Sequence, residues 1–173
     1  MFQRFFPDEY YDSTYHIDFG AFYEKGYRAV LFDVDNTLVE HDAPADARAK
    51  ALIHDLKEMG YGVCFVSNTD EDRVRSFNKA LGATYVYKAV TPSARGYEEA
   101  MEKLGTDRSN TLFVGDQIFT DIWGANNAKL YSILVQPIAK HEEIQIILKR
   151  IPEKWVLRSY LKKHTLQSGR EKQ

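Results

Sequence analysis

The 173-residue sequence contains a single cysteine, Cys64, so no disulfide can form within the chain. It also lacks a long apolar run, because the stretch from Tyr131 to Ala139 includes Gln136 and is far shorter than the ~20 residues that cross a bilayer. The first residues lack the long apolar segment of a secretory signal. These absences predict a soluble protein of the cytoplasm. A chain of this length is expected to bury a core without disulfides or a structural metal.

Basic residues are not in excess either, since 23 Lys and Arg stand against 25 Asp and Glu for a net charge of -2. Nucleic-acid binding needs a basic surface, so nucleic acid is not an expected partner. The near-neutral total hides a difference along the chain: residues 1–140 have a net charge of -6 and residues 141–173 one of +4. The five histidines lack the spacing of a zinc site, and no glycine-rich nucleotide loop is present.

Five short apolar runs, rich in β-branched and aromatic residues, have the pattern of strands covered on both faces. They span residues 29–33, 62–66, 84–87, 111–115 and 131–135. Stretches with apolar residues at helical spacing separate the runs, and Gly60, Gly82 and Gly105 end three of them. Thr91 and Pro92 have the chemistry of a helix start. Strand alternating with helix predicts an α/β fold of three layers, Rossmann-like, with a central parallel sheet.

The sequence predicts four parts. Residues 1–27 form an aromatic-rich segment that packs on the core, residues 28–140 form the core, and residues 165–173 form a disordered tail. Residues 141–164 form basic amphipathic helices, with a break at Pro152. A basic amphipathic segment with Trp can lie on an anionic membrane surface. The favoured interpretation is a helix packed on the domain with a solvated basic face.

Polar residues follow four of the predicted strands, and we expect them to meet because parallel strands end at the same edge of a sheet. They are Asp33, Asp35 and Thr37, then Ser67 and Asn68, then Lys88, and then Asp116 and Asp121. Polar residues begin wherever strands end, which explains any one group but not the set. Neighbouring carboxylates are costly unless a cation neutralises them. An all-oxygen set without clustered His or Cys suits Mg²⁺.

Such a site has the groups that phosphoryl transfer needs. A carboxylate beside Mg²⁺ can attack phosphorus and form an aspartyl-phosphate, which water then hydrolyses. A second carboxyl can protonate the leaving alcohol and later deprotonate that water. The phosphoryl oxygens need donors, and Ser67, the backbone N–H groups after Asp33 and a lysine would supply them.

These residues together resemble the haloacid dehalogenase-like superfamily of phosphatases. The resemblance rests on Asp-Val-Asp-Asn-Thr-Leu at 33–38, a hydroxyl residue ending the next strand, a lysine after the third strand, and Gly-Asp followed by a second Asp at 121. It covers residues 28–136 in the right order and implies a HAD-like catalytic core.

By this resemblance Asp33 is the nucleophile. Asp35 is the general acid and base, and its backbone carbonyl also binds Mg²⁺. Asp116 is a further metal ligand, and Asp121 steadies the metal's water shell or the lysine. An acid at position 35 favours a phosphatase, because dehalogenase-type members lack an acid there and the ion-pump ATPases have a Thr.

The resemblance also assigns residues that hold the substrate. Thr37 would orient the general acid, Ser67 and Asn68 would bind the phosphate, and Lys88 would be its cation. The chain departs from the pattern at Thr91, where a lysine usually precedes the proline. Lys88 is therefore the only nearby lysine, and turnover would be slow if it points away.

Two intervals predict that the protein has no cap domain. Only 31 residues separate Asp35 from Ser67, and only 27 separate Lys88 from Asp116. One helix and one strand use up each interval. An open site suits a large or surface-bound substrate, or an oligomer that supplies the lid.

The sequence resembles in particular the small capless phosphatases of bacteria and mitochondria that include phosphatidylglycerophosphate phosphatases. The shared segments lie at 6–10, 35–39, 87–89 and 115–121. This resemblance implies a role in phospholipid synthesis, with phosphatidylglycerophosphate as the leading substrate. It also allows a peripheral position at the inner face of the membrane, with the basic tail as the contact.

Other hypotheses stay open from the sequence alone. The substrate could be another small-molecule or protein phosphomonoester. A phosphorylated signalling module like a receiver domain is disfavoured, because its acid pair and phosphorylated Asp follow the strands in a different order. A binding protein that retains the motifs but turns over little is suggested by Thr91.

Overall fold

The computed structural model of the chain describes residues 2–139 and 144–163, with side chains described at 2–139 and 152–163. In these ranges six parallel strands form one sheet in the order β1-β6-β5-β2-β3-β4. The strands are β1 (Glu9–Tyr11), β2 (Ala29–Phe32), β3 (Gly62–Val66), β4 (Thr84–Val86), β5 (Thr111–Gly115) and β6 (Tyr131–Val135). The five predicted strands are confirmed to within one residue.

Helices connect the strands and cover the sheet. They are α1 (Phe19–Glu24), α2 (Ala47–Met59), α3 (Glu71–Asn78), α4 (Arg95–Leu104), α5 (Trp123–Asn127) and α6 (Ile144–Leu161). Short 3-10 turns occupy Gln3–Phe5 and Thr14–His16, and one π-helical turn occupies Ile118–Ile122. Among the described helices, none is long and apolar enough to cross a bilayer.

Two cores lie on opposite faces of the sheet, as the three-layer prediction requires. Val30 and Phe32 of β2 face the core that α1, α2 and α3 cover, whereas Leu31 faces the core formed with α4 and α5. Tyr97 of α4 is fully buried in this second core and stacks edge-to-face on Phe113 of β5. The alternation follows from the two-residue period of a strand. The predicted α/β fold with a parallel sheet is confirmed, and the interval between Asp35 and Ser67 contains only α2 and β3.

The predicted helix start at Thr91 and Pro92 is wrong, because α4 begins at Arg95. The side chain of Asn68 occupies the groups that would have capped the helix. Its Oδ1 accepts a hydrogen bond from Thr91 N at 3.0 Å, and its Nδ2 donates to Thr91 Oγ1. The far end of α4 agrees with the sequence, since Gly105 follows it with a φ of 66° in the left-handed region.

The aromatic N-terminal segment supplies an edge strand that the sequence did not predict. Strand β1 pairs with β6, and Tyr10 lies opposite Leu134. Asp8 strengthens the junction, because its N–H donates to Ser132 O at 2.8 Å and its Oδ2 accepts from Ser132 N at 2.8 Å. A three-residue strand is too short for a periodic pattern, which is why only its position beside β6 reveals it.

Helix α6 runs through Pro152, so the predicted break at that residue is wrong. Val156 and Tyr160 lie in a third core beside the sheet edge, and this packing offsets the hydrogen bond that a proline removes from a helix. The favoured interpretation, a helix packed on the domain, is confirmed for the described side chains. Residue 140 of the predicted core and residues 141–143 and 164–173 of the predicted tail region lie outside the described residues.

Phe5 anchors the N-terminal segment in the third core. Its ring stacks edge-to-face on Phe119 at 5.1 Å and on Trp123 at 5.2 Å between ring centres, and only 8% of the residue is exposed. We expect Phe5→Ala to lower the free energy of unfolding by about 3 kcal/mol, the lower end for a buried phenylalanine. Urea unfolding followed by circular dichroism measures the change.

Phe2→Ala is the matched control, because Phe2 is 46% exposed. It should change the free energy of unfolding by less than about 0.5 kcal/mol. Equal losses for the two variants would contradict the anchoring role of Phe5.

Candidate active site

The candidate site lies at the carboxyl edge of the sheet, where the chain changes direction across it. Strand β2 lies between β5 and β3. On one side of it the chain runs from β2 through β3 to β4, and on the other side it runs from β5 to β6. Asp33 follows β2, Ser67 follows β3 and Asp116 follows β5. Asp33 N donates to Val114 O at 3.0 Å, which fixes the start of the loop after β2 against β5. Ligands of parallel α/β sheets bind at such a reversal of strand order.

Three predicted site carboxylates meet at this edge. Asp33, Asp116 and Asp121 each offer an oxygen within 4.8 Å of the others. The hydroxyl of Thr37 lies between two of them, 3.1 Å from Asp116 Oδ1 and 3.4 Å from Asp33 Oδ2. Its single proton can be donated to either carboxylate. The structure thus places Thr37 with these carboxylates, whereas the sequence predicted that it orients Asp35.

The π-helical turn Ile118–Ile122 positions Asp121. Asp121 Oδ2 accepts hydrogen bonds from Asp116 N at 3.2 Å and from Gln117 N at 3.0 Å. Gly115 makes this approach possible, because a Cβ at that position would lie 2.7 Å from both Cβ and Oδ2 of Asp121. Glu153 of α6 supports the same turn by accepting from Phe119 N at 3.3 Å.

Electrostatics at the three carboxylates favours a bound cation. Burial, together with the neighbouring charges of Asp121 and Asp116, raises the pKa of Asp33 well above its usual range. Burial and the charge of Asp116 raise the pKa of Asp121 to about 8. A divalent cation held by these oxygens would remove the repulsion and favour the ionised forms. The oxygen-only donor set fits Mg²⁺, so these residues are suited to hold it.

The Asp35 carboxylate is not one of these three grouped oxygens, although its charge contributes to raising the pKa of Asp33, and it is bound by a residue that the sequence did not single out. Its Oδ1 accepts from Arg73 Nη2 at 2.7 Å and from Asp42 N at 3.0 Å. His41 Nδ1 is 3.9 Å from the other oxygen, Oδ2. The side chains of Asp35 and Arg73 are 14% and 17% exposed, so their ion pair is largely shielded from water.

The predicted phosphate-binding residues after β3 form a tight turn. Ser67 is buried, its Oγ lies 2.9 Å from Thr69 Oγ1, and it accepts from Thr69 N at 3.2 Å. Asn68 is bonded to Thr91 as described above, so its side chain joins the loop after β3 to the loop after β4. Ser67 and Thr69 therefore present two hydroxyls at the site edge.

The backbone of Lys88 is held beside the Ser67 turn, whereas its side chain is mostly exposed to solvent. Its N donates to Thr69 O at 3.2 Å, which fixes it beside the Ser67 turn. Its φ of 46° is uncommon for a residue with a side chain. The ammonium group is 3.4 Å from Asp70 Oδ1, and both side chains are mostly exposed. In this arrangement the lysine neutralises Asp70.

The structure therefore brings together Asp33, Asp116, Asp121 and Thr37, and leaves the Asp35 and Lys88 side chains paired elsewhere. The missed residue is Arg73. No motif contains it, and the helical spacing of α3 only places it in the first turn after Asp70. Its contact with Asp35 joins elements 38 positions apart, which a local pattern does not reveal.

Gly115→Ala tests the packing of the carboxylate group. The added methyl group must displace the Asp121 side chain or the Phe113 ring, because it would lie 2.7 and 2.8 Å from their atoms. We expect about 10-fold or more weaker Mg²⁺ binding, the scale of losses from residues that orient metal ligands. Titration calorimetry with MgCl₂ measures it.

Gly20→Ala is the control, since a Cβ at Gly20 would have its nearest contact at 3.4 Å, an ordinary distance. Unchanged Mg²⁺ affinity in Gly115→Ala would show that the cation does not depend on the position of Asp121.

Comparison with known proteins identifies the family of the chain. The haloacid dehalogenase-like hydrolase family matches residues 43–129, a range that includes Ser67, Asp116 and Asp121 and begins after Asp35. The chain is 32% identical over 169 residues to "Probable phosphatase YqeG" of Bacillus subtilis, covering 96% of this chain and 98% of that protein.

Two further relatives extend the comparison. The chain is 27% identical to "Phosphatidylglycerophosphate phosphatase 1, chloroplastic/mitochondrial" of Arabidopsis thaliana over 86% of this chain, and it spans 46% of that protein. The solved structure of the deoxy-D-mannose-octulosonate 8-phosphate phosphatase of Haemophilus influenzae, in a cobalt-bound form, has the same fold, with a TM-score of 0.53 and 15% identity. That match covers 79% of this chain and 88% of the other. The chain belongs to the haloacid dehalogenase-like hydrolases and is a phosphatase, an enzyme that hydrolyses phosphoric monoesters.

Proposed function

We propose that this phosphatase works through an aspartyl-phosphate on Asp33, depends on Mg²⁺, and acts on phosphatidylglycerophosphate as its leading substrate. The observation that supports the chemistry is the group formed by the half-buried Asp33 with the buried Asp116 and Asp121 at the carboxyl edge of the sheet. Three like charges brought so close are costly to bury unless a cation neutralises them.

Asp33, Asp116 and Asp121 would hold the Mg²⁺ ion, with the backbone carbonyl of Asp35 as a further ligand. When bound, the ion neutralises the carboxylates and the phosphoryl oxygens, which lowers the cost of bringing a phosphate dianion to the site. Thr37 would help to fix the two carboxylate oxygens that it contacts.

In the first step, an oxygen of the Asp33 carboxylate attacks the phosphorus atom. The bond between phosphorus and the ester oxygen breaks, and its electron pair stays on the leaving alcohol. The carboxyl of Asp35 donates its proton to that oxygen. The products of this step are the free alcohol, the Asp35 carboxylate and phosphorylated Asp33.

In the second step, water attacks the phosphorus atom and Asp35 accepts its proton. The bond between phosphorus and Asp33 breaks, and the electron pair returns to the Asp33 carboxylate. Inorganic phosphate leaves, and both aspartates regain their starting forms. One residue thus serves first as acid and then as base.

The transferred phosphoryl group needs donors on its three equatorial oxygens. The hydroxyls of Ser67 and Thr69 would supply two, and the backbone N–H groups after Asp33 would supply others. Lys88 would supply the positive charge by exchanging Asp70 for the phosphate. Its fixed backbone beside Thr69 keeps it within reach of this turn.

Phosphatidylglycerophosphate is the substrate that several features support. Its phosphatase from Arabidopsis thaliana is a relative of the chain. The intervals after Asp35 and Lys88 contain no cap in the described residues, so a lipid headgroup can reach the site. On α6, Trp155 is 69% exposed and Arg158 is exposed too, and the exposed Lys162 follows directly after the helix. This combination suits peripheral contact with an anionic membrane.

A second candidate function is a module that is phosphorylated on Asp33 but turns over little. The ion pair between Lys88 and Asp70 favours it, because it takes the lysine away from the phosphate. Release of one phosphate per chain in a burst, followed by no further release, would support this candidate over the first.

Asp33→Asn tests the nucleophile. Phosphate release should fall by about 10³-fold or more, because the amide cannot form the covalent intermediate. The assay measures inorganic phosphate with MgCl₂ and a panel of phosphomonoesters that includes phosphatidylglycerophosphate in mixed micelles. Asp55→Asn, an exposed aspartate of α2, should retain the wild-type rate.

Equal release by wild type and Asp33→Asn would refute the nucleophile. A wild type that prefers water-soluble phosphomonoesters over the lipid phosphate would refute the substrate while leaving the chemistry in place.

Lys88→Met and Asp70→Asn together test whether the Lys88 ammonium group leaves Asp70 to bind the phosphate. Lys88→Met should raise KM by about 10-fold or more, the usual worth of a hydrogen bond to a charged group. Asp70→Asn should not raise KM, because it frees the ammonium for the phosphate. Steady-state kinetics with one phosphomonoester measures both, and Lys79→Met, an exposed lysine, is the control. An unchanged KM in Lys88→Met would contradict the role of Lys88 as the cation that binds the phosphate.

A further inference from the structure

Arg73 occupies a position in α3 where a cation is disfavoured. It is the third residue of the helix, in the first turn, where the helix dipole favours acidic side chains. Glu71 and Asp72 beside it follow that rule. Arg73 is also largely buried, although arginine is mostly found at the surface. The position requires contacts that outweigh both costs.

The guanidinium lies 5.7 Å from the centre of the Phe77 ring on its own helix, and its polar contacts come from the loop that follows β2. The Nη2 atom of Arg73 donates to Asp35 Oδ1 at 2.7 Å and to Ala43 O at 2.8 Å. The Nε atom lies 3.6 Å from Asp42 Oδ1. One guanidinium therefore joins the carboxylate of Asp35 to the end of the same loop, just before the cap of α2 at Asp46.

These contacts distinguish the two oxygens of Asp35. Oδ1 accepts hydrogen bonds from Arg73 and from the backbone N–H of Asp42, so both donors favour a negative oxygen there. In the part of the chain that the structure describes, the contact recorded for Oδ2 is His41 Nδ1 at 3.9 Å, beyond hydrogen-bond distance. Two donors therefore hold Oδ1 in place, and Oδ2 is the oxygen that lies open to a reacting group.

We propose that Arg73 is a positioning residue that fixes Asp35 through Oδ1 and presents Oδ2 as the atom that transfers the proton. This inference rests on the proposed function and deepens it. It applies to phosphate esters of alkyl alcohols, whose leaving oxygen must be protonated as its bond to phosphorus breaks. The leaving group of an aryl ester such as p-nitrophenyl phosphate is a stable phenolate. Its departure depends far less on protonation of the leaving oxygen.

The experiment compares two substrates in five proteins. Wild type, Arg73→Met, Arg73→Lys and Arg75→Met are assayed with glycerol 3-phosphate and with p-nitrophenyl phosphate at saturating MgCl₂. Arg75 lies on the same helix, is exposed and pairs with Asp72, so its variant controls for a loss of charge on α3. Asp35→Asn provides the reference for loss of the proton donor.

We expect Arg73→Met to lower kcat for glycerol 3-phosphate by about 10- to 100-fold and kcat for p-nitrophenyl phosphate by less than about 3-fold. The ratio of the two rates should shift in the same direction as in Asp35→Asn. Arg73→Lys should recover part of the alkyl rate, because it restores a donor to Oδ1 without the planar fork. KM for both esters should change little, since the guanidinium of Arg73 is already engaged by Asp35, Ala43 and Asp42.

The aryl ester reports whether each variant is folded, because its hydrolysis needs the same nucleophile. Equal losses on both esters in Arg73→Met would overturn the positioning role and indicate a general structural defect. No loss on either would overturn it as well. A wild type inactive on both esters and on the wider panel would refute the proposed function instead, and the inference with it.

Discussion

The close approach of the half-buried Asp33 to the buried Asp116 and Asp121 is the constraint on which the site depends. Three carboxylates at one sheet edge repel each other, and burial raises the pKa of Asp33 and Asp121. The fold holds them there through backbone hydrogen bonds to Asp121 and through a glycine at 115 that leaves room for its side chain. A site assembled at such a cost is suited to a divalent cation and a phosphoryl group.

Elements at the sheet edge stabilise the turn that carries Asp121. The π-helical turn with Asp121 contacts the third core, where Phe5 stacks on Phe119 and where α6 packs through Val156. Glu153 of α6 bonds the backbone of the same turn. The two ends of the described chain thus brace the loop that positions a site carboxylate, which links the stability of the terminal segments to the geometry of the site.

Much of the fold could be predicted because its signals are local. The apolar runs gave strands such as β5 to within one residue, and Gly105 marks a helix end through its own left-handed backbone. Predictions failed where a residue distant in sequence forms a hydrogen bond or a packing contact that a local pattern does not include. Asn68 binds the Thr91 side chain that would have capped α4, and α6, which packs on the domain through Tyr160, continues through Pro152.

The sequence by itself determined five of the six described strands and their alternation with helices, the absence of room for a cap in the two intervals, and three of the aspartates that meet at the site. Spacing and residue type suffice for these, because they depend on chain connectivity and strand period. Only the tertiary structure decided the partner of each charge: Arg73 for Asp35, Asp70 for Lys88, and Thr37 between Asp33 and Asp116. Such pairings depend on three-dimensional distance between elements far apart in the chain, which no local pattern encodes.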